Sequence, residues 1–375
     1  MKKLIAISVM FALVAGAAFA QTAVSGLIET RFWLFEGSSA EGSELETKGT
    51  VASGYIQLSG QNADGNFGGL FRLRNQDNIA GGRWHRAFAW WRPIPQLRVF
   101  LGIDNDGMFN PDNDLVGWGF HQGPEGLLAV HDWGFWRNIF PGNWDGFGLA
   151  FSVTPMPGLG IHLAIPTGSL EWFQGTQARV DDKHELGDVY PGRLRLYTHY
   201  AVADIGTVFF TYIGPGTNFD DANDFGHLGL SFRLTSIAGL QAQLGFATKL
   251  PDENDEPVWV GLGVHYAGGD WGVKFRAGTE LKEDYLMLTA NVMPWYNFGS
   301  IRGFLDIGFS MLDVSADDVY TGFWVTPYLT LPAGPGQFQI GLLIYSNISL
   351  GGQTPNQRTD ADVNFALPFR FTYSF

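Results

Sequence analysis

Five arginines, Arg31, Arg72, Arg74, Arg86 and Arg98, sit in segments where apolar residues occupy the alternating positions on the other side. Arg193, Arg195, Lys274, Arg276, Arg302 and Arg370 follow the same rule further along, and Glu29, Asp104, Glu280 and Asp306 are the few acids that do. Acid is concentrated elsewhere: Asp106, Asp112, Asp114, Glu125 and Asp132 fall in one stretch, 105–145, against the single base Arg137. A basic surface facing an acidic one across a narrow wet gap sets up a transverse field. Such a field orients dipolar solutes and opposes apolar ones, and low-dielectric walls concentrate it. The plainer reading is that the arginines pair with these acids and hold the stretch in place.

Catalytic chemistry finds less support. There is no G-x-S-x-G, no H-E-x-x-H and no cysteine nucleophile, and the eight histidines are scattered. His199, His227 and His265 fall where a strand would turn a polar face to water. No enzyme is expected, and no cofactor. The acidic segments 218–224 and 251–257 have carboxylates that suit Ca²⁺ in type but in no defined spacing, so they read as solvated loop tips.

What must position the arginines is a set of β-strands. "LQAQLGFATK" alternates Leu240, Ala242, Leu244 and Phe246 with Gln241, Gln243, Gly245 and Ala247. "WGVKFRAG" and "HLGLSFRL" do the same, and so does "GQFQIGLLIY" through Phe338, Ile340, Leu342 and Ile344. Period-2 alternation marks a strand with one apolar and one polar face. It recurs in about 18 segments, with 16 possible if weak ones near 83, 204 and 284 merge or drop. The tight connections 93–95, 155–158, 203–204, 236–239 and 268–270 alternate with longer acidic ones at 36–49, 76–82, 105–145, 167–191, 214–225 and 250–256. Short turns at one end and long loops at the other are the pattern of a transmembrane β-barrel, with the turns periplasmic and the loops external. A soluble sandwich also alternates, but its polar face is seldom so rich in Gly together with Arg.

The start of the chain fits export. Lys2 and Lys3 precede an apolar run, and Ala18-Phe19-Ala20 forms a small-x-small site, so residues 1–20 read as a signal peptide and 21–375 as the barrel. Removing Lys2 and Lys3 from 23 bases leaves 21 against 37 acids, a charge of −16 that makes nucleic acid an improbable partner. The chain has 50 glycines and 15% aromatic residues, a pairing that argues against disorder, since disordered chains lack aromatics.

The last segment, "LPFRFTYSF", alternates to its end with Leu367, Phe369, Phe371, Tyr373 and Phe375 on one face. This ending resembles the C-terminal signature of bacterial outer-membrane porins of the general diffusion type. The signal peptide and strand style also resemble outer-membrane proteins of spirochaetes. The porin resemblance implies an all-β barrel in the outer membrane, passing ions and small hydrophilic solutes. It also implies recognition of Phe371, Tyr373 and Phe375 by the barrel assembly machinery, and a homotrimer. In that family the third external loop folds inward and narrows the pore, which would make 105–145 the constriction loop opposite the basic wall. Two alternatives stay open. One is a channel selective for carboxylates or sugars, with Trp84, Trp90, Trp91, Trp172 and Phe173 as a sugar slide or else as interfacial girdle. The other is a plugged barrel acting as a surface adhesin.

Overall fold

The computed structural model describes residues 21–39, 46–75, 83–104, 146–168, 194–214, 226–249, 257–282, 285–312, 319–347 and 362–375. Residues 1–20, read as a signal peptide, and the loop 105–145 lie outside the described residues. The first strands are β1 (Gln21–Ser38), β2 (Glu46–Gln61), β3 (Phe67–Asn75), β4 (Arg83–Ile94), β5 (Leu97–Asp104) and β6 (Gly146–Met156). They continue as β7 (Leu159–Gly168), β8 (Arg195–Val202), β9 (Gly206–Ile213), β10 (His227–Leu234), β11 (Leu240–Lys249) and β12 (Val258–Gly268). The chain finishes with β13 (Trp271–Lys282), β14 (Tyr285–Phe298), β15 (Ile301–Leu312), β16 (Tyr320–Ala333), β17 (Gly336–Gly341), β18 (Leu343–Ser346) and β19 (Val363–Ser374).

Each strand pairs antiparallel with its sequence neighbours, and β19 pairs with β1, so the sheet closes. Segments β17 and β18 both pair with β16 and with β19. They are halves of one strand, and the barrel therefore has 18. The interruption at Leu342 has a cause in its neighbour. Pro327 accepts from the Leu342 N–H at 2.9 Å but has no N–H to return, so the ladder skips a step there. Pro294 stands where the β14–β15 ladder skips in the same way, between Val292 and Trp295.

Closure is required because a membrane offers an unpaired strand edge no partner. Here the seam runs from Leu27↔Ser374 to Ser38↔Asn364, with a bulge between Trp33 and Glu36. It extends to Phe375, whose N–H donates to the Gly26 carbonyl and whose carbonyl accepts from the Gly26 N–H. The Phe375 ring lies over Gly26, where a Cβ would collide with it.

Strand positions follow the sequence reading closely, including the three weak segments. One connection is shorter than expected. In place of a loop over 36–49, β1 runs to Ser38 and β2 starts at Glu46, with Glu36 paired to Glu46. Backbone pairing continues past the last alternating side chain because the ladder needs only N–H and C=O groups. The tight turns reach left-handed backbone at Gly269 and Gly299, with φ of 73° and 67°.

The alternating aliphatic positions point outward. Leu244, Leu230, Leu101 and Val24 are exposed on that face, while Gln243 and Gln339, one residue away from outward neighbours, are fully buried toward the lumen. We expect Leu244→Arg to destabilise the membrane-inserted barrel by about 2–4 kcal/mol, the cost of a cation on the lipid face near mid-depth. Denaturant unfolding in lipid vesicles would measure it, and Gln243→Leu, on the opposite face, should not reproduce this lipid-dependent loss.

Candidate functional site

The inward face is the candidate site, and alternation decides which residues reach it. On β2–β5 it carries a basic band. Arg72 donates from Nε to Gln57 Oε1 at 2.8 Å, and its guanidinium lies 4.2 Å from the Tyr55 ring centroid. Arg86 stands directly opposite Arg72 across the β3–β4 ladder and lies over Phe88. Arg98 lies 4.1 Å over Trp90. At the seam, Arg31 is paired in register with Arg370, and the Arg370 guanidinium holds Glu29 at 2.6 Å. Like charges directly opposite each other disfavour a sheet, so the band is retained against a cost. The structure thus places Arg72, Arg86, Arg98 and Arg370 on the inner wall. The side chains of Arg31 and Arg74 lie outside the described residues, as do Arg193 and the loop acids Asp106, Asp112, Asp114, Glu125 and Asp132.

On β6–β10 the wall is more aromatic. His162, Tyr197 and His199 form a triangle of rings, with the His162 centroid 5.5 and 5.8 Å from the other two and those two 6.1 Å apart, and Tyr197 stacks on Phe209. Ser152 Oγ lies 2.7 Å from His162 Nδ1. A hydroxyl beside an imidazole invites a nucleophile–base reading, but that chemistry needs a third group to orient the base. His162 Nε2 is buried with no hydrogen-bond partner among the described residues. The contact pairs Ser152 Oγ with His162 Nδ1 on the wall. Nearby, Arg233 donates to Gln243 Oε1 from Nη2 at 3.2 Å, and Gln243 donates on to Ser231 Oγ.

On β12–β15 a buried relay crosses three strands. Arg276 Nε donates to Asn291 Oδ1 at 3.1 Å, and Asn291 Nδ2 donates to Asp306 Oδ1 at 3.0 Å. Trp259 Nε1 donates to Glu280 Oε2 at 2.9 Å. His265 and Lys274 face each other across β12 and β13.

Sequence reasoning missed the size of the residues on this face. It expected Gly, Ser, Thr, Gln and Arg there, yet Trp90, Phe100, Tyr197, Phe209, Trp259, Trp295 and Trp324 are inward and buried. The glycines make room for them. Gly68, Gly160, Gly272 and Gly308 each lie directly across a ladder from Trp90, His199, Trp295 and Trp324, and each ring occupies the space a Cβ would take. The rings therefore lie flat on the wall instead of projecting into the lumen. A signal was present: these aromatics share parity with Arg98 and Arg302, not with the outward leucines. Of the other aromatics considered for a slide, Trp91 is outward and exposed, as girdle residues are. The Trp84 side chain and Trp172 and Phe173 lie outside the described residues.

Phe371, Tyr373 and Phe375 share the outward parity of the closing strand, with Phe371 opposite Phe338. The Tyr373 and Phe375 rings are neighbours at 6.2 Å. Among the described residues no group of three or more His, Asp or Glu is placed to hold a metal ion.

No protein-family model matches the chain, and no curated protein matches it either. Solved structures do. The chain is similar to OmpF of Salmonella typhi in complex with daunomycin, at TM-score 0.54 and 10% identity, over 96% of this chain and 99% of that one. It is also similar to a loop L8 deletion mutant of OmpT, an outer-membrane protein of Vibrio cholerae, at TM-score 0.51 and 10% identity, over 94% and 99%. An anion-selective porin from Comamonas acidovorans matches at TM-score 0.51 and 11% identity over the same shares. At such identities the likeness establishes a shared porin-type barrel fold.

Proposed function

We propose that the chain is an outer-membrane porin, a passive diffusion channel for ions and small hydrophilic solutes. The observation that carries this reading is the sorting of side chains around a closed sheet. Aliphatic residues and part of the aromatics face outward on strand after strand, while charged and amide side chains, with aromatic rings packed flat among them, face a lumen. A closed sheet of this kind satisfies its own backbone in lipid and keeps a polar path inside. Residues 1–20 act as a cleaved signal peptide, the outward Phe371, Tyr373 and Phe375 are read by the barrel assembly machinery, and the barrel assembles as a homotrimer. The loop 105–145 supplies the acidic side of a transverse field, opposite Arg31, Arg72, Arg74, Arg86 and Arg98. Catalysis is no part of this reading.

The basic band favours anions at the wall. In planar bilayers, refolded residues 21–375 should give stable conductance steps. Under a KCl gradient, Arg72→Ala/Arg86→Ala should move the reversal potential toward cation preference. No steps from protein that is folded and heat-modifiable on gels would refute the channel and leave a plugged barrel with surface-binding loops. A second reading, a channel selective for particular anionic solutes, is favoured by the arginines stacked on inward aromatic rings.

A further inference from the structure

One glycine of the wall faces lipid, with no indole laid over it. Gly303 on β15 shares outward parity with its ladder partners, Tyr296 on β14 and Leu329 on β16. It stays partly exposed, and the nearest atoms a Cβ would meet are side-chain carbons, in the Phe298 ring at 3.1 Å and Leu329 at 3.5 Å. One outward step farther from the turn, the flanking strands carry prolines. Pro327 pairs with Leu305, and Pro294 stands across from Leu305 on the other side, where the ladder skips. Glycine and proline extend little side chain from the backbone, so the wall is low here across three adjacent strands. Tyr296, Phe298 and Leu329 rise around it and are exposed. The result is an open apolar groove of about 580 Å³, bounded on its far side by Ile340. That volume lies within the roughly 300–1,000 Å³ of pockets that hold small ligands.

The groove begins at the short-turn end of the barrel. Tyr296 and Phe298 are the last outward residues before the turn at 299–300, and their rings are 4.8 Å apart. Trp271 opens β13 after its own turn and pairs with Tyr296, and its ring lies 5.1 Å from that of Tyr266. Trp and Tyr at strand ends lie at the membrane–water boundary, with the ring in hydrocarbon and the donor toward water. The Trp271 indole N–H and the Tyr296 hydroxyl therefore stand at the lower edge of the groove. Beyond them the side chains of Pro294, Leu305, Pro327 and Leu329 carry no polar atom.

From this division we infer that the groove seats one phospholipid of the leaflet on the short-turn side. An acyl chain lies along Gly303 between Phe298 and Leu329, and an ester carbonyl accepts from Trp271 or Tyr296. The inference rests on the outer-membrane reading in one respect, that the outward face meets lipid, and it requires no conduction. The chemistry of the occupant follows from that of the slot. An ester-linked chain has its acceptors at the membrane boundary and none deeper, and the slot has its donors at the boundary and none deeper. A second copy of the barrel fits less well. Tyr296 and Phe298 stand proud beside the floor and hold a broad wall away from Gly303, where a single run of methylenes can pass.

The test uses the refolded chain 21–375 in detergent, with dioleoyl phosphatidylethanolamine added as the probe and native mass spectrometry counting the lipids held per barrel. Wild type should retain one. Gly303→Leu, which fills the floor, should weaken retention by about tenfold, the equivalent of roughly two methylenes of apolar burial. Trp271→Phe/Tyr296→Phe keeps both rings and removes both donors, and should weaken it by about fivefold, the loss of one neutral hydrogen bond. Ala89→Leu, an outward change opposite Leu101 on distant strands, should leave retention as in wild type. Each variant is first checked for heat-modifiability, and the phenylalanine pair guards against a folding defect in Gly303→Leu. Equal retention by wild type, Gly303→Leu and the phenylalanine pair overturns the inference. Loss of oligomer bands in Gly303→Leu with lipid retention unchanged also overturns it, and makes the groove a contact between copies. Flotation with vesicles of the same lipid separates the two readings. Barrels that float yet retain no lipid sink the inference alone, whereas folded barrels that do not float overturn the outer-membrane reading and the groove with it.

Discussion

Asp306→Leu is expected to destabilise the folded barrel by about 3–5 kcal/mol, the usual cost of removing one partner from a buried charge pair. Arg276 is 2% exposed and Asp306 3%, and Asn291 bridges them from the strand between. Without the carboxylate, the Arg276 guanidinium stays desolvated with its counter-charge gone, and Asn291 Nδ2 loses its acceptor. Asp306→Asn should cost less, because a carbonyl oxygen still accepts while the charge is lost. Arg276→Met/Asp306→Leu should recover much of the stability, since apolar groups of similar size replace a buried pair at little net cost. Denaturant unfolding followed by tryptophan fluorescence measures all four proteins. If Asp306→Leu unfolds at the wild-type midpoint, the relay is not a buried charge network.

Arg370→Ala is expected to cost about 3 kcal/mol, near the low end of the same range because its partner pair is slightly more open. Arg370 donates to Glu29 Oε2 from both Nε and Nη2, at 3.1 and 2.6 Å, across the seam between the first and last strands. Their positions are 341 residues apart, so the pair forms only when the barrel has closed. The loss should therefore appear first as slower or less complete closure, visible as a lower folded fraction on unheated gels. Glu29→Gln with Arg370→Ala should be less damaging than the two single losses added together, because neither leaves a buried charge behind in the other's presence. Additive losses would show that the two residues act separately at the seam.

Strand positions and the direction each segment faces were legible before any coordinates, because both rest on local facts, while the number stayed open between 16 and 18. Alternation has a period of two, so it appears within a single segment such as 240–249, and turn length separates the two ends of the barrel without reference to the far side. Arg72, Arg86, Arg98, Arg276 and Arg370 were assigned to the inner face by parity alone. The cause of the ladder gap at Leu342 could not be seen in the residues of β17 and β18 themselves. It is Pro327, on the neighbouring strand.

The sequence by itself thus determined an all-β chain with strands of one polar and one apolar face. Only the tertiary structure decided which inner residues meet. Register between strands sets Gly68 under Trp90 and Gly272 under Trp295, and barrel closure brings Glu29 to Arg370. Those contacts depend on the sum of many pairings around the ring, and no single segment carries that sum. Parity tells a side chain which face to take, while its depth and its neighbours come from the sheet as a whole.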